Sequence, residues 1–144
     1  MNAAVNPLKG LRVLIVEDET LVAMLIEEFL LELGCEIAFS ASRVAKAMRG
    51  LQTCGIDVAV LDVNVAGESV SQLVETLVQR GIPFIFASGY GARGVDPRWA
   101  FSAVLQKPFT GTDLRAALLA SLDTMQKAAM PSLQPQAGAL PANL

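Results

Sequence analysis

Short runs of β-branched and aliphatic residues alternate with stretches whose apolar positions return every three or four residues. Leu11, Val13, Leu14, Ile15 and Val16 form one such run, which breaks off at Glu17-Asp18-Glu19 and predicts a buried strand over 11–16. Leu21, Leu25 and Phe29, together with Val22, Ile26 and Leu33, then repeat at helical spacing, and Gly34 supplies a stop. A short strand over 36–39 precedes a helix over 43–52, a strand over 57–63 and a helix over 69–80 closed by Gly81. The fourth strand falls at 83–87, with its proline tolerated at the start. A glycine-rich irregular stretch follows, with at most a short helix near 97–101, before a fifth strand over 103–106. Thr112 is read as the cap of a last helix bearing Leu114, Leu118, Leu122 and Met125 on one face.

Strands that alternate with helices form a parallel sheet covered on both faces, so the fold class is doubly wound α/β. One domain is expected over 9–127, between a flexible N-terminus over 1–8 and a flexible tail rich in Pro, Ala and Gln over 128–144. Such sheets place ligand sites at the carboxyl ends of their strands.

Composition narrows the chemistry. The 144 residues include no histidine, which excludes His-based nucleophile activation, imidazole metal ligands and a phosphohistidine on this chain. A net charge of −3 and the lack of a basic run argue against nucleic acid as a partner. Cys35 and Cys54 are too far apart for a CxxC motif and too few for a disulfide framework, so reduced thiols in the cytoplasm are expected. No apolar stretch approaches the roughly 18 residues that span a bilayer, and 1–8 lacks the pattern of a signal peptide.

The strand ends carry the remaining signal. Glu17-Asp18-Glu19 follows the first strand, Asp62 ends the third, Ser88 the fourth, and Lys107-Pro108 follows the fifth. Carboxylates packed together repel one another and call for a cation, and hard oxygen ligands with room for water suit Mg²⁺. The formal charges of Glu17, Asp18, Asp62, Lys107 and a divalent ion cancel. Such a site accepts a phosphoryl group, with the cations neutralising its oxygens and a serine hydroxyl donating to one of them.

Val13-Leu14-Ile15-Val16-Glu17-Asp18-Glu19, Val60-Leu61-Asp62-Val63-Asn64, Phe86-Ala87-Ser88-Gly89 and Leu105-Gln106-Lys107-Pro108-Phe109 together resemble the receiver domain of two-component response regulators. The resemblance implies a flavodoxin-like sheet of strand order 2-1-3-4-5 with a short or irregular fourth helix. It makes Asp62 the phosphoacceptor, Ser88 the switch hydroxyl and Lys107 the phosphoryl-binding lysine, joined to Pro108 by a cis bond. Mg²⁺ is then held by Asp18, Asp62 and the backbone carbonyl of Asn64, with Glu17 acting through water. Phe86-Ala87-Ser88-Gly89-Tyr90-Gly91 is similar to the FATGUY-type receivers of alphaproteobacteria, as is Asn64 followed by Gly67-Glu68. Ordinary receivers carry an aromatic switch residue where this chain has Val104, so Tyr90 becomes the candidate for switching and for screening the acyl phosphate.

The resemblance implies a cytoplasmic phosphoacceptor rather than an enzyme. Its phosphodonor is a sensor histidine kinase or a phosphotransfer protein, and its output is a contact with a downstream protein or service as a phosphate sink. It is expected to act without membrane or nucleic acid, as a monomer or weak homodimer. Alternatives are a receiver fragment of a larger regulator or hybrid kinase, and a pseudo-receiver that never carries phosphate. A phospho-aspartyl hydrolase typically places a second Asp two residues after the first, where this chain has Asn64, which cannot protonate a leaving group. Gly89-Tyr90-Gly91-Ala92-Arg93-Gly94 spells GxGxxG but follows the fourth strand, not the first, and is rejected as a dinucleotide site.

Overall fold

The structure, a computed structural model, describes residues 5–99 and 101–133. Its parallel sheet is built from β1 (Arg12–Val16), β2 (Glu36–Ala41), β3 (Val58–Asp62), β6 (Phe84–Ser88) and β7 (Ala103–Gln106). A two-residue pair, β4 (Asn64–Val65) and β5 (Glu68–Ser69), forms a separate antiparallel hairpin. The helices are α1 (Thr20–Glu32), α2 (Val44–Thr53), α3 (Ser71–Gln79) and α4 (Gly111–Leu133).

The sheet order is β2-β1-β3-β6-β7. With the hairpin strands set aside, this is the 2-1-3-4-5 order expected of a flavodoxin-like receiver. Alternation along the central strands divides the core in two. Leu14, Val16, Ala59, Leu61, Phe84 and Phe86 face α2 and α3, where Ala47, Leu51, Leu73, Val74 and Leu77 meet them. Val13, Ile15, Val58, Val60, Ile85 and Leu105 face Ile26, Leu30, Leu114 and Leu118 from α1 and α4. Strands buried on both faces cannot show a polar alternation, which is why they read in the sequence as unbroken apolar runs.

Several expectations are corrected. Within the end read as flexible, Leu8 is buried in the core and the Asn6 amide donates to the Leu33 carbonyl at 3.2 Å, while Val5 is exposed. The helix expected over 69–80 begins at Ser71, because residues 64–69 are used by the hairpin. Thr110 rather than Thr112 caps the last helix: its hydroxyl accepts from the Asp113 N–H at 3.1 Å, and the Asp113 carboxylate accepts from the Thr110 N–H at 2.9 Å. The backbone of α4 continues beyond residue 127 to Leu133, through the helix formers Gln126 to Met130, into the segment read as tail. The rest of that segment, 134–144, lies outside the described residues. The irregular fourth crossover consists of two single turns of 3₁₀ helix, Gly91–Gly94 and Pro97–Trp99. Among the described residues, no helix is long and apolar enough to cross a membrane.

On α1, Val22, Ile26, Leu30 and Leu33 face the core, while Leu21, Met24, Leu25 and Leu31 are exposed. The sequence offered two apolar stripes on this helix. Val22, Ile26 and Leu33 all pack, whereas of Leu21, Leu25 and Phe29 only Phe29 lies against the core.

Candidate functional site

The carboxyl ends of β1, β3, β6 and β7 converge on one edge of the sheet. Glu17 and Asp18 leave β1, Asp62 closes β3, Ser88 closes β6 and Lys107 follows β7. One oxygen each of Glu17, Asp18 and Asp62 lies within 4.8 Å of the others. The Lys107 ammonium sits among carboxylates, 2.9 Å from Glu17 Oε1, 3.3 Å from Asp62 Oδ2 and 3.7 Å from Glu19 Oε1. The Lys107–Pro108 bond is cis.

Burial makes these contacts unequal. The Glu17 side chain is 1% exposed, Asp62 13%, Lys107 18% and Glu19 66%, so the Glu19 contact is screened while the Glu17 contact is not. Burial pushes the Glu17 carboxyl above its ordinary range, and the Asp62 charge adds to that. The contact with Lys107 and the Glu19 N–H, which donates to Glu17 Oε2 at 3.1 Å, only partly offset the rise. Burial works in the opposite direction on Lys107, but Glu17 and Asp62 together outweigh it and raise the ammonium's pKa. Lys107 therefore stays charged at neutral pH.

Oε1 of Glu17 is fully buried and receives no well-directed hydrogen bond. Its 2.9 Å approach to Lys107 is an ion pair whose angle falls short of hydrogen-bond geometry. A cluster of three acids with a buried carboxylate oxygen that lacks a directed hydrogen bond suits a hard divalent cation or the water on one.

Ser88 is wholly buried, and its hydroxyl accepts from the Tyr90 N–H at 3.0 Å. A Cβ on Gly94 would stand 2.4 Å from that hydroxyl, so the loop after β6 closes on Ser88 only because residue 94 has no side chain. Tyr90 itself is 73% exposed, and its backbone rather than its ring meets Ser88. Asn64 is exposed and opens the hairpin two residues beyond Asp62. Val104 is half-buried against the α2 and α3 side of the core. The GxGxxG stretch lies beyond β6 and opens no long helix.

Two participants were not read from the sequence. Glu19 reaches Lys107, and the Ala66 N–H at the tip of the hairpin donates to Asp18 Oδ2 at 2.9 Å. The available signal was Asn64-Val65 and Glu68-Ser69 flanking the dipeptide Ala66-Gly67, an X-Gly hairpin turn in miniature.

An acidic cluster around a lysine at the carboxyl ends of a 2-1-3-6-7 parallel sheet is the arrangement of the receiver class. The sequence profile of the response regulator receiver domain matches residues 13–119, and the chain belongs to that family. Among solved structures, the chain is similar to SdrG from Sphingomonas melonis Fr1, at 43% identity over 78% of this chain and 97% of that one, with a TM-score of 0.72. It is similar also to the BeF3-activated conformation of SdrG from Pseudomonas melonis Fr1, at 44% identity over 76% and 93% of the two chains, TM-score 0.67. The receiver domain of the response regulator PhyR from Erythrobacter litoralis matches at 25% identity over 79% and 91%, TM-score 0.69. No curated protein matches the sequence.

Proposed function

We propose that the protein is a cytoplasmic response regulator receiver of the FATGUY type, phosphorylated on Asp62 by a sensor histidine kinase or phosphotransfer protein. The observation that carries this reading is the Lys107 ammonium 3.3 Å from Asp62 Oδ2, within a cluster of three acids. In the transfer, an Asp62 oxygen attacks the phosphorus of the donor's phosphohistidine; a P–O bond forms as the P–N bond breaks, and the imidazole departs. Asp18, Asp62 and the Asn64 carbonyl would hold Mg²⁺, with Glu17 acting through water, and the ion supplies charge neutralisation at the phosphoryl oxygens. Lys107 orients and neutralises a further oxygen, and Ser88 turns its hydroxyl from the Tyr90 N–H toward the new group. The protein is a phosphoacceptor that promotes its own phosphorylation and hydrolysis, not an enzyme acting on a separate substrate.

The face around the site suits a protein donor. Leu21, Met24 and Leu25 stand exposed on α1, next to an apolar recess of about 310 Å³ lined by Glu19, Val22, Leu25, Lys107, Pro108 and Phe109. SdrG, at 44% identity, adopts a BeF3-activated conformation, and the same response is proposed for this chain. Output follows through protein contacts or through drainage of phosphate from the donor.

The test is incubation with acetyl phosphate and Mg²⁺, followed by intact mass. Gain of one phosphoryl group, lost in Asp62→Asn and lost on chelation of the metal, is the expected result. No gain in the unaltered protein favours a pseudo-receiver.

A further inference from the structure

We infer that the β4–β5 hairpin is a positioning element for the metal site, acting through the backbone N–H of Ala66 on the Asp18 carboxylate. The inference rests on the assignment of Asp18 as a metal ligand. Ala66 and Gly67 form the two central residues of the turn, at φ 52° and 81°. Positive φ at both positions is the type I′ geometry that joins adjacent antiparallel strands. Glycine adopts it freely; alanine does so at a cost in backbone strain. That conformation places the Ala66 N–H 2.9 Å from Asp18 Oδ2, across 48 residues of sequence. The pairing of Asn64 with Ser69 and Val65 with Glu68 fixes the turn, and buried Val65 anchors it in the core.

An N–H to one carboxylate oxygen leaves the other oxygen as the free donor and fixes the plane of the group. Metal-ligating carboxylates are oriented in this way by outer partners, whose loss typically weakens metal affinity by about 10–100-fold. The hairpin springs from the residue after Asp62 and carries the proposed Asn64 carbonyl. One small element would therefore set two ligands, Asp18 through Ala66 and Asn64 directly. Coupling of this kind is reciprocal: an ion that fixes Asp18 also fixes the hairpin. Glu68, on the hairpin, is 3.6 Å from Arg43 at the start of α2, so the element presents a surface whose order reports the state of the site.

The test measures Mg²⁺ affinity by titration calorimetry on the full chain, with circular dichroism as a check on folding. Ala66→Gly keeps the N–H and accepts positive φ, and should bind Mg²⁺ within about twofold of the unaltered protein; Ala66→Pro removes the N–H and cannot reach that φ, and should bind about tenfold more weakly or worse. In the unaltered protein, hydrogen exchange of the Ala66 amide, followed by NMR, should slow when Mg²⁺ is added. A folded Ala66→Pro protein with unchanged Mg²⁺ affinity overturns the inference, and so does an Ala66 amide whose exchange ignores Mg²⁺. Where Ala66→Pro does not fold, the exchange measurement decides alone. If the unaltered protein binds no Mg²⁺ the metal assignment itself falls; if it binds and Ala66 is indifferent, only the hairpin's role falls.

Discussion

Lys107 and Glu17 carry opposite charges in nearly the same place, yet their removal should have opposite effects on stability. Deleting the ammonium in Lys107→Met strands a carboxylate that is 1% exposed, and the variant should unfold at lower urea concentration. Neutralising the acid in Glu17→Gln relieves a group whose ionised form burial disfavours and reduces repulsion with Asp62, so this variant should unfold at higher urea concentration at neutral pH. Urea midpoints that shift in the same direction for both would contradict the electrostatic reading. The cysteines give a second residue-scale prediction. Cys35 is buried, and desolvation raises its thiol pKa above the ordinary value, so its contribution to stability is present below the unfolded pKa and is lost as pH climbs through the raised one. Cys54 is only partly buried, and a thiol reagent should label it first in the native protein, with Cys35 reacting on unfolding. Glu17 and Lys107 were legible because they directly follow predicted strands. A backbone N–H such as that of Ala66 has no side-chain signature, so its contact with Asp18 appears only in three dimensions.

The elements read best where burial is two-sided. Strands β1, β3 and β6 were visible as apolar runs, whereas β4 and β5 are two residues each, too short to show any period. Helix α1 misled in a different way. Its two apolar stripes are indistinguishable by spacing, and only packing against β1 and α4 selects Ile26 and Leu30 over Leu21 and Leu25. Helix α2 shows how tightly the packed side is set. A Cβ on Gly50 would stand 2.4 Å from Phe39 Cδ2, with two further ring atoms within 2.8 Å. Gly50→Ala should gain roughly 1 kcal/mol of helix propensity and lose more to overpacking, for a net destabilisation of about 1–2 kcal/mol in urea unfolding. A stabilised variant would mean that the Phe39 ring moves aside freely.

At the scale of the whole molecule, the proposed phosphorylation exchanges a carboxylate of charge −1 for an acyl phosphate of about −2, at one edge of the sheet. Ser88 faces the loop after β6, and Gly94 lies directly against its hydroxyl. Trp99 follows five residues later, half-buried, with its indole ring 6.3 Å from Phe101 and the Arg98 guanidinium 5.1 Å from its centroid. It is the only tryptophan in the chain. Mg²⁺ with beryllofluoride should therefore change the intrinsic fluorescence, and Asp62→Asn should abolish the response; an unchanged spectrum would place the conformational response elsewhere. The absence of histidine fits the proposed role, in which the phosphodonor's histidine belongs to another protein.

The central claim is that Asp62 itself carries the phosphoryl group, and reductive trapping tests it most directly. After incubation with acetyl phosphate and Mg²⁺, borohydride converts an aspartyl phosphate to homoserine, which peptide mass spectrometry locates by residue. Homoserine at position 62, absent without Mg²⁺, is the predicted result. Homoserine at Asp18 or another acid, or none despite a gain of phosphoryl mass, would contradict the account.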